Sequence, residues 1–292
     1  MNGILVVDKP ADFTSFDVVA KLRGMLRERR MGHGGTLDPM ATGVLPVFIG
    51  EATKFADLDP DRTKTYRASV RLGIKTDTGD VTGTVTAVGG ARPAREQLER
   101  ALADCVGERM QLPPMYSAVK VNGKKLYEYA RAGREVERTP RPVTIYGAAL
   151  TGWSPDEFSF EVRCSKGTYV RTLAEELCEG LGARGALSAL CRTQSGSFSL
   201  GMAHTLGEVQ LAAQTDAAGL LLPPASLFAG LRRAELSGEP LRLFLNGVRF
   251  EAARVCADAR GGEEFAVFSE EKFLGLARCE GGLFVKTVHY NG

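Results

Sequence analysis

The sequence predicts an α+β fold, and three observations carry that reading. Strand-like and helix-like segments are interspersed rather than alternating in regular βαβ units. Residues 65–75 alternate strictly between apolar and polar side chains. Beyond Pro223-Pro224 the chain turns to short apolar runs separated by turns, the pattern of a small β-rich module of about 60 residues. The length of 292 residues suits a large core joined to a small one. We therefore expect a boundary that divides the chain into 1–230 and 231–292. No internal repeat is visible.

The elements follow in order. Ser15 reads as an N-cap, with Val18, Val19, Leu22, Met25 and Leu26 at helical spacing behind it and Lys21, Arg23, Arg27, Arg29 and Arg30 between them. A glycine-rich loop spans Gly32 to Gly43, and Val44 to Ile49 reads as a buried strand despite Pro46. In 65–75, Tyr66, Ala68, Val70, Leu72 and Ile74 form the apolar face, while Arg67, Ser69, Arg71 and Lys75 form the other. Thr76 to Gly83 is a turn cluster, and Pro93 to Cys105 is helical. Pro113-Pro114 interrupts the chain before a basic, tyrosine-bearing stretch from Gly123 to Arg134. Val143 to Leu150 and Phe158 to Cys164 read as strands, and Thr168 to Arg171 as the end of another. Leu173, Leu177, Cys178 and Leu181 mark a helix that stops near Gly182. In the C-terminal part, Leu241 to Gly247, Phe265 to Phe268, Phe273 to Ala277 and Leu283 to Val288 read as strands.

Composition narrows the function. Hydrophobic residues make up 44% and charged residues 25%, the values of an ordinary globular chain. The apolar run Ile4–Val7 follows no basic segment and is too short for a signal-peptide core or a membrane span, so a cytoplasmic protein is expected. The six cysteines include no C-x-x-C pair, and the three histidines do not complete a metal-ligand pattern. Neither a metal site nor a disulfide framework is expected. Net charge is +2 overall, yet residues 61–145 alone carry 16 basic and 10 acidic side chains. A positive middle third suits a polyanionic partner, although such excesses also occur on solvated faces.

Four segments could carry chemistry. In Gly32–Gly43 the glycines allow close backbone approach, and Pro39 confines Asp38 to extended conformations, so a carboxylate is presented from a constrained loop. His33 adds a donor. The same features fit a purely structural turn capped by Asp38. The segment lacks the spacing of a dinucleotide or Walker-type phosphate loop. Tyr66 reads as a core tyrosine or as a platform for a stacked base. Arg171 beside Tyr169 needs an anionic partner, which could be Asp38, a phosphate or a surface carboxylate. Lys120, Lys124, Lys125, Tyr127, Tyr129, Arg131 and Arg134 interleave charge with aromatic rings, as RNA-binding surfaces and solvated faces both do.

Taken together these segments resemble the bacterial tRNA pseudouridine synthase B family. The resemblance rests on Asp8-Lys9-Pro10, GHGGTLDPMATG at 32–43, GEATKF at 50–55, KTYRASVRLG at 64–73, TDTGD at 76–80, PPMYSAVKVNGKKLYEYAR at 113–131, CSKGTYVRTL at 164–173 and LCRTQSG at 190–196. It implies a mixed, mainly antiparallel central sheet with flanking helices, and a C-terminal RNA-binding module like the PUA fold. It also implies isomerisation of uridine 55 in the T-loop of tRNA, with no cofactor, no metal and no required protein partner, by a monomer. Asp38 is then the catalytic carboxylate, Tyr66 stacks on the target base and Arg171 pairs with Asp38. Tyr169 and Leu190 line the pocket, His33 holds or displaces the flipped nucleotide, and Lys9 and Lys54 join them in binding substrate. One departure is Cys191, where a second basic residue is expected in the leucine-bearing turn 190–192.

An aspartate can serve such a reaction as nucleophile, electrostatic stabiliser or proton acceptor, and the residues leave all three open. Two other readings use the same surfaces: an RNA-binding chaperone and a guide-dependent synthase. A glycoside hydrolase would need a second carboxylate flanking the bond, and the 32–43 motif holds none.

Overall fold

The computed structural model describes residues 1–292. Its centre is a nine-stranded sheet in the order Gly3–Lys9, Thr42–Ile49, Gly185–Ser195, Lys64–Leu72, Glu157–Cys164, Arg141–Trp153, Gly107–Gln111, with Met31–His33 and Phe198–Ser199 as short additions. Every pairing is antiparallel except a short parallel join, where Cys191 faces Thr42 and Arg192 faces Gly43. This is the mixed, mainly antiparallel sheet of the expected α+β class. Gly43 sits at that join with φ 98°, and a Cβ there would lie 2.3 Å from the Arg192 carbonyl oxygen, so only glycine lets the two strands close.

Lys64–Leu72 runs through the middle of the sheet because its residues alternate. Tyr66, Ala68, Val70 and Leu72 are buried, whereas Arg67 and Arg71 are exposed. The strand ends sooner than the alternation predicts: Gly73 takes φ 87°, and Ile74–Thr76 pairs instead with Val85–Val88 in a separate hairpin. The helices Ser15–Leu26, Arg95–Asp104 and Val170–Gly180 bury Val18, Leu22, Leu98, Leu102, Leu173 and Leu177 in one core with the inner face of the sheet. No helix is long and apolar enough to cross a membrane.

Four local expectations need correction. The cap of the first helix is Thr14, which accepts from Asp17 N at 3.0 Å while the Asp17 carboxylate accepts from Thr14 N at 2.9 Å. Ser15 lies one residue inside and is used elsewhere, accepting from Leu37 N at 2.8 Å and donating to Leu37 O at 3.2 Å. Residues 168–171 do not end a strand; the helix Val170–Gly180 already contains Arg171. Residues 190–192 are not a turn but lie within the strand Gly185–Ser195. Residues 241–247 are largely helical, in Gly238–Leu245, with Phe244 buried. Pro240 in the first turn, where no amide donor is needed, and Gly247 at φ 72° just past the end are the signals that apolar content obscured.

A second sheet, in the order Arg232–Glu235, Glu264–Ser269, Lys272–Glu280, Leu283–His289, Phe250–Glu251, has its own core around Phe244, Phe265 and Phe284. Its other side packs on the outer face of Gly3–Lys9 and Thr42–Ile49. There Phe55 lies 5.4 Å from Phe228, 5.7 Å from Phe273 and 5.7 Å from Tyr290, ring centroid to centroid. These two strands are therefore covered on both faces, which is why they read as continuous apolar runs rather than alternating ones. Truncating the fully buried Phe55 to alanine should cost about 3–5 kcal/mol in urea unfolding, because it opens a cavity between the two sheets. A loss below about 1 kcal/mol would show that the aromatic joint does not hold the sheets together.

Candidate active site

The loop between Met31–His33 and Thr42–Ile49 carries Asp38 and lies over the helical face of the sheet, at the short parallel join. Buried polar groups hold it from below. Lys9 is fully buried, and its ammonium donates to Pro10 O at 2.8 Å, Phe13 O at 2.6 Å and Pro39 O at 3.1 Å. Burial draws the Lys9 pKa down to about 8 against the opposing pull of Asp38. Arg192 is equally buried and donates to Val44 O at 2.8 Å, Gly35 O at 3.1 Å and Thr36 O at 3.4 Å. Ser15 clasps both backbone groups of Leu37. The loop is thus fastened at Gly35, Thr36, Leu37 and Pro39, and the residue left projecting is Asp38.

Asp38 meets Arg171, which rises from the first turn of Val170–Gly180. Nε donates to Oδ2 at 2.8 Å and Nη2 to Oδ1 at 3.1 Å, a two-pronged, charge-assisted fork. Two further guanidinium donors are engaged: Nη1 reaches Thr78 O at 2.7 Å, and Nη2 reaches Tyr116 O at 2.8 Å. The Arg171 side chain is 4% exposed and that of Asp38 33%, so the cation is enclosed while the carboxylate keeps an open edge. That edge faces a cavity of about 240 Å³ lined by Tyr66, Tyr169, Leu190, Lys64 and Ser117, among others. The Tyr66 hydroxyl is held neutral, its pKa raised chiefly by burial.

The structure brings together Asp38, Tyr66, Arg171, Tyr169 and Leu190 of the residues singled out from the sequence. The other three lie apart from this cavity. His33 is half-buried just before the loop, and burial lowers its imidazole pKa; Nδ1 accepts from Gly35 N at 3.4 Å, inside the loop rather than toward the cavity. Lys9 lies beneath the loop, where its ammonium is engaged by the carbonyls of Pro10, Phe13 and Pro39. Lys54 lies on the far side, paired with Glu51 and donating to His289 O at 3.0 Å, where it links the two sheets. Two residues not singled out do belong here. Lys64 lines the cavity, donates to Ser195 Oγ at 2.8 Å and has its pKa drawn down to about 8, first by burial and then by Arg192. The second is Arg192. Both stand at core-facing positions of their strands, and a cation at an inward position was the available signal.

Comparison with known proteins gives the chain its lineage. The family described as "TruB family pseudouridylate synthase (N terminal domain)" matches residues 23–170. The chain is 45% identical over 282 residues to a protein named tRNA pseudouridine synthase B from Aromatoleum aromaticum, covering 96% of this chain and 90% of that one. It is 44% identical over 285 residues to the protein of that name from Chromobacterium violaceum, covering 96% and 92%. Among solved structures, one described as a Cbf5-Nop10-Gar1 complex superposes with a TM-score of 0.74 at 23% identity, over 95% of this chain and 78% of that one. Another, an H/ACA RNP bound to a substrate RNA containing 2'-deoxyuridine, gives 0.76 at 19% identity, over 99% and 85%. At such identities the structural likeness speaks for the fold, and the sequence matches speak for the lineage: the chain belongs to the TruB family of pseudouridylate synthases.

Proposed function

We propose that this chain isomerises uridine to pseudouridine in tRNA, at uridine 55 of the T-loop. The observation that carries the reading is the Arg171–Asp38 fork, with its open carboxylate edge turned to a cavity that Tyr66 lines. The shared name of the relatives supports the substrate class. In this reading 1–230 carries the chemistry and 231–292 contributes RNA contacts, in a cytoplasmic monomer that needs no protein partner.

The reaction breaks the N1–C1′ bond, turns the uracil and joins C5 to C1′; the C5 proton leaves and N1 gains one, so the product is an isomer. Nothing is exchanged with a cofactor. The target base must first leave its stack, at a cost of a few kcal/mol. Stacking on the Tyr66 ring offsets this by about 1–3 kcal/mol. Arg171 holds both Asp38 oxygens in one plane, so the carboxylate meets the bound nucleotide in a single orientation. The enclosing walls keep water from an opened sugar.

The test is tritium release from C5-labelled uridine in an unmodified T-stem-loop, with the purified chain alone. Wild type should release tritium. Asp38→Asn should release none while binding the RNA within about threefold of wild type. Normal turnover by the variant would remove Asp38 from the chemistry, and silence of the wild type would remove the proposed activity. Tyr66→Phe, which keeps the ring, should retain more activity than Tyr66→Ala; equal losses would argue against stacking. Lys64 gives a pH signature. Its free-enzyme pKa is about 8, and RNA favours the protonated form, so affinity should fall as pH rises through that value. Binding curves on either side of it should show a steeper fall for wild type than for Lys64→Met, and parallel curves would refute a role for the Lys64 charge.

A further inference from the structure

The strand Gly107–Gln111 forms the edge of the central sheet and ends in a glutamine that is 1% exposed. Its carboxamide reaches across to one residue only. Gln111 Oε1 accepts from Tyr169 N at 2.8 Å, and Gln111 Nε2 donates to Tyr169 O at 3.1 Å. One donor and one acceptor pair with both backbone groups of a single residue, as a neighbouring strand would.

That residue occupies a decisive place. Tyr169 is the N-cap of Val170–Gly180, is extended at φ −97° and ψ 106°, and offers no capping side chain of its own. Its carbonyl also accepts from Leu173 N at 3.0 Å, a first-turn bond of the helix. Gln111 thus settles where the helix begins, and Arg171 follows two residues later. The chain leaving Gln111 passes through Pro113-Pro114 to Tyr116, whose carbonyl accepts from Arg171 Nη2 at 2.8 Å. A single buried amide therefore stands behind the Tyr169 ring in the cavity wall and the guanidinium that orients Asp38.

We propose that Gln111 is a positioning residue for the isomerisation, acting through the backbone of Tyr169 on the angle at which Arg171 meets Asp38. This rests on the pseudouridine synthase reading above. The amide is suited to the task because it presents a donor and an acceptor side by side. An ionised glutamate offers acceptors only, so it satisfies Tyr169 N–H and repels Tyr169 C=O. A neutral carboxylic acid has one O–H donor and one C=O acceptor, and restores both bonds. Burial favours that neutral form, whereas Arg171 beyond Tyr169 and Arg141, the cross-strand neighbour, oppose it.

The experiment is tritium release by wild type, Gln111→Leu and Gln111→Glu across roughly pH 5.5 to 8.5, at a temperature where circular dichroism shows all three folded. Gln111→Leu should lose about tenfold or more in kcat, with KM for the RNA within about threefold, because a displaced reacting group costs rate rather than binding. The kcat of Gln111→Glu relative to wild type should rise as pH falls, while the Gln111→Leu ratio stays flat. A kcat for Gln111→Leu within twofold of wild type, a loss confined to KM, or a flat ratio for Gln111→Glu would each overturn the assignment. Silence of the wild type would overturn the functional reading and this inference with it.

Discussion

The geometry of the site depends on one planar contact, the fork between Arg171 and Asp38, whose partners are 133 residues apart in the chain. A guanidinium with 4% exposure has little access to water, so its donors must find acceptors in the protein. Two go to the carboxylate and two more to the carbonyls of Thr78 and Tyr116. That requirement gathers the turn at 76–80, the chain after Pro114, the start of a helix and the Asp38 loop around one group. Losing the Asp38 carboxylate would leave the enclosed guanidinium without its counterpart, at a cost of about 3–5 kcal/mol. The same demand fixes the carboxylate's orientation, and catalysis by positioning needs well-placed groups more than tightly bound ones.

The loop itself is fastened to buried cations. Lys9 and Arg192 are almost wholly removed from solvent, and both address backbone carbonyls rather than carboxylates. Carbonyl dipoles compensate a buried charge only in part, and the Lys9 pKa of about 8 records what burial costs. In exchange the loop is set before substrate arrives, which preorganises the field around Asp38. Lys64, also near 8, does not fasten the loop but stands in the cavity wall. Two lysines with similar pKa values thus have different roles, separated by what their ammonium groups touch.

Much of this was legible in the residues themselves. The alternation at 65–72 placed Tyr66 on the inner face, and the glycines around Asp38 announced a constrained loop. Errors arose where a residue's partner was distant in sequence. Ser15 looked like a cap because Leu37, the group that claims its hydroxyl, is 22 residues away. Nothing local to Lys9 or Lys54 tells where its ammonium goes; the fold encloses one beneath the loop and sets the other against the second sheet. The apolar content of residues 241–247 predicts a strand, whereas Pro240 and Gly247 are local signals for the helix that forms.

The sequence by itself determined the class of fold and the inward faces of the strand 64–72 and of the three longer helices, and its motifs, through their resemblance to a known family, determined the lineage and the carboxylate. The first two follow from periodicity and from backbone restrictions at glycine and proline, which act over a few residues. Only the tertiary structure decided which cations face the cavity and which are fastened beneath it, that Gln111 pairs with Tyr169, and that Arg171 meets Asp38 and the carbonyls of Thr78 and Tyr116 together. Those outcomes depend on hydrogen bonds between segments far apart in the chain, whose geometry exists only once the sheet has closed and water has been excluded from the groups they join.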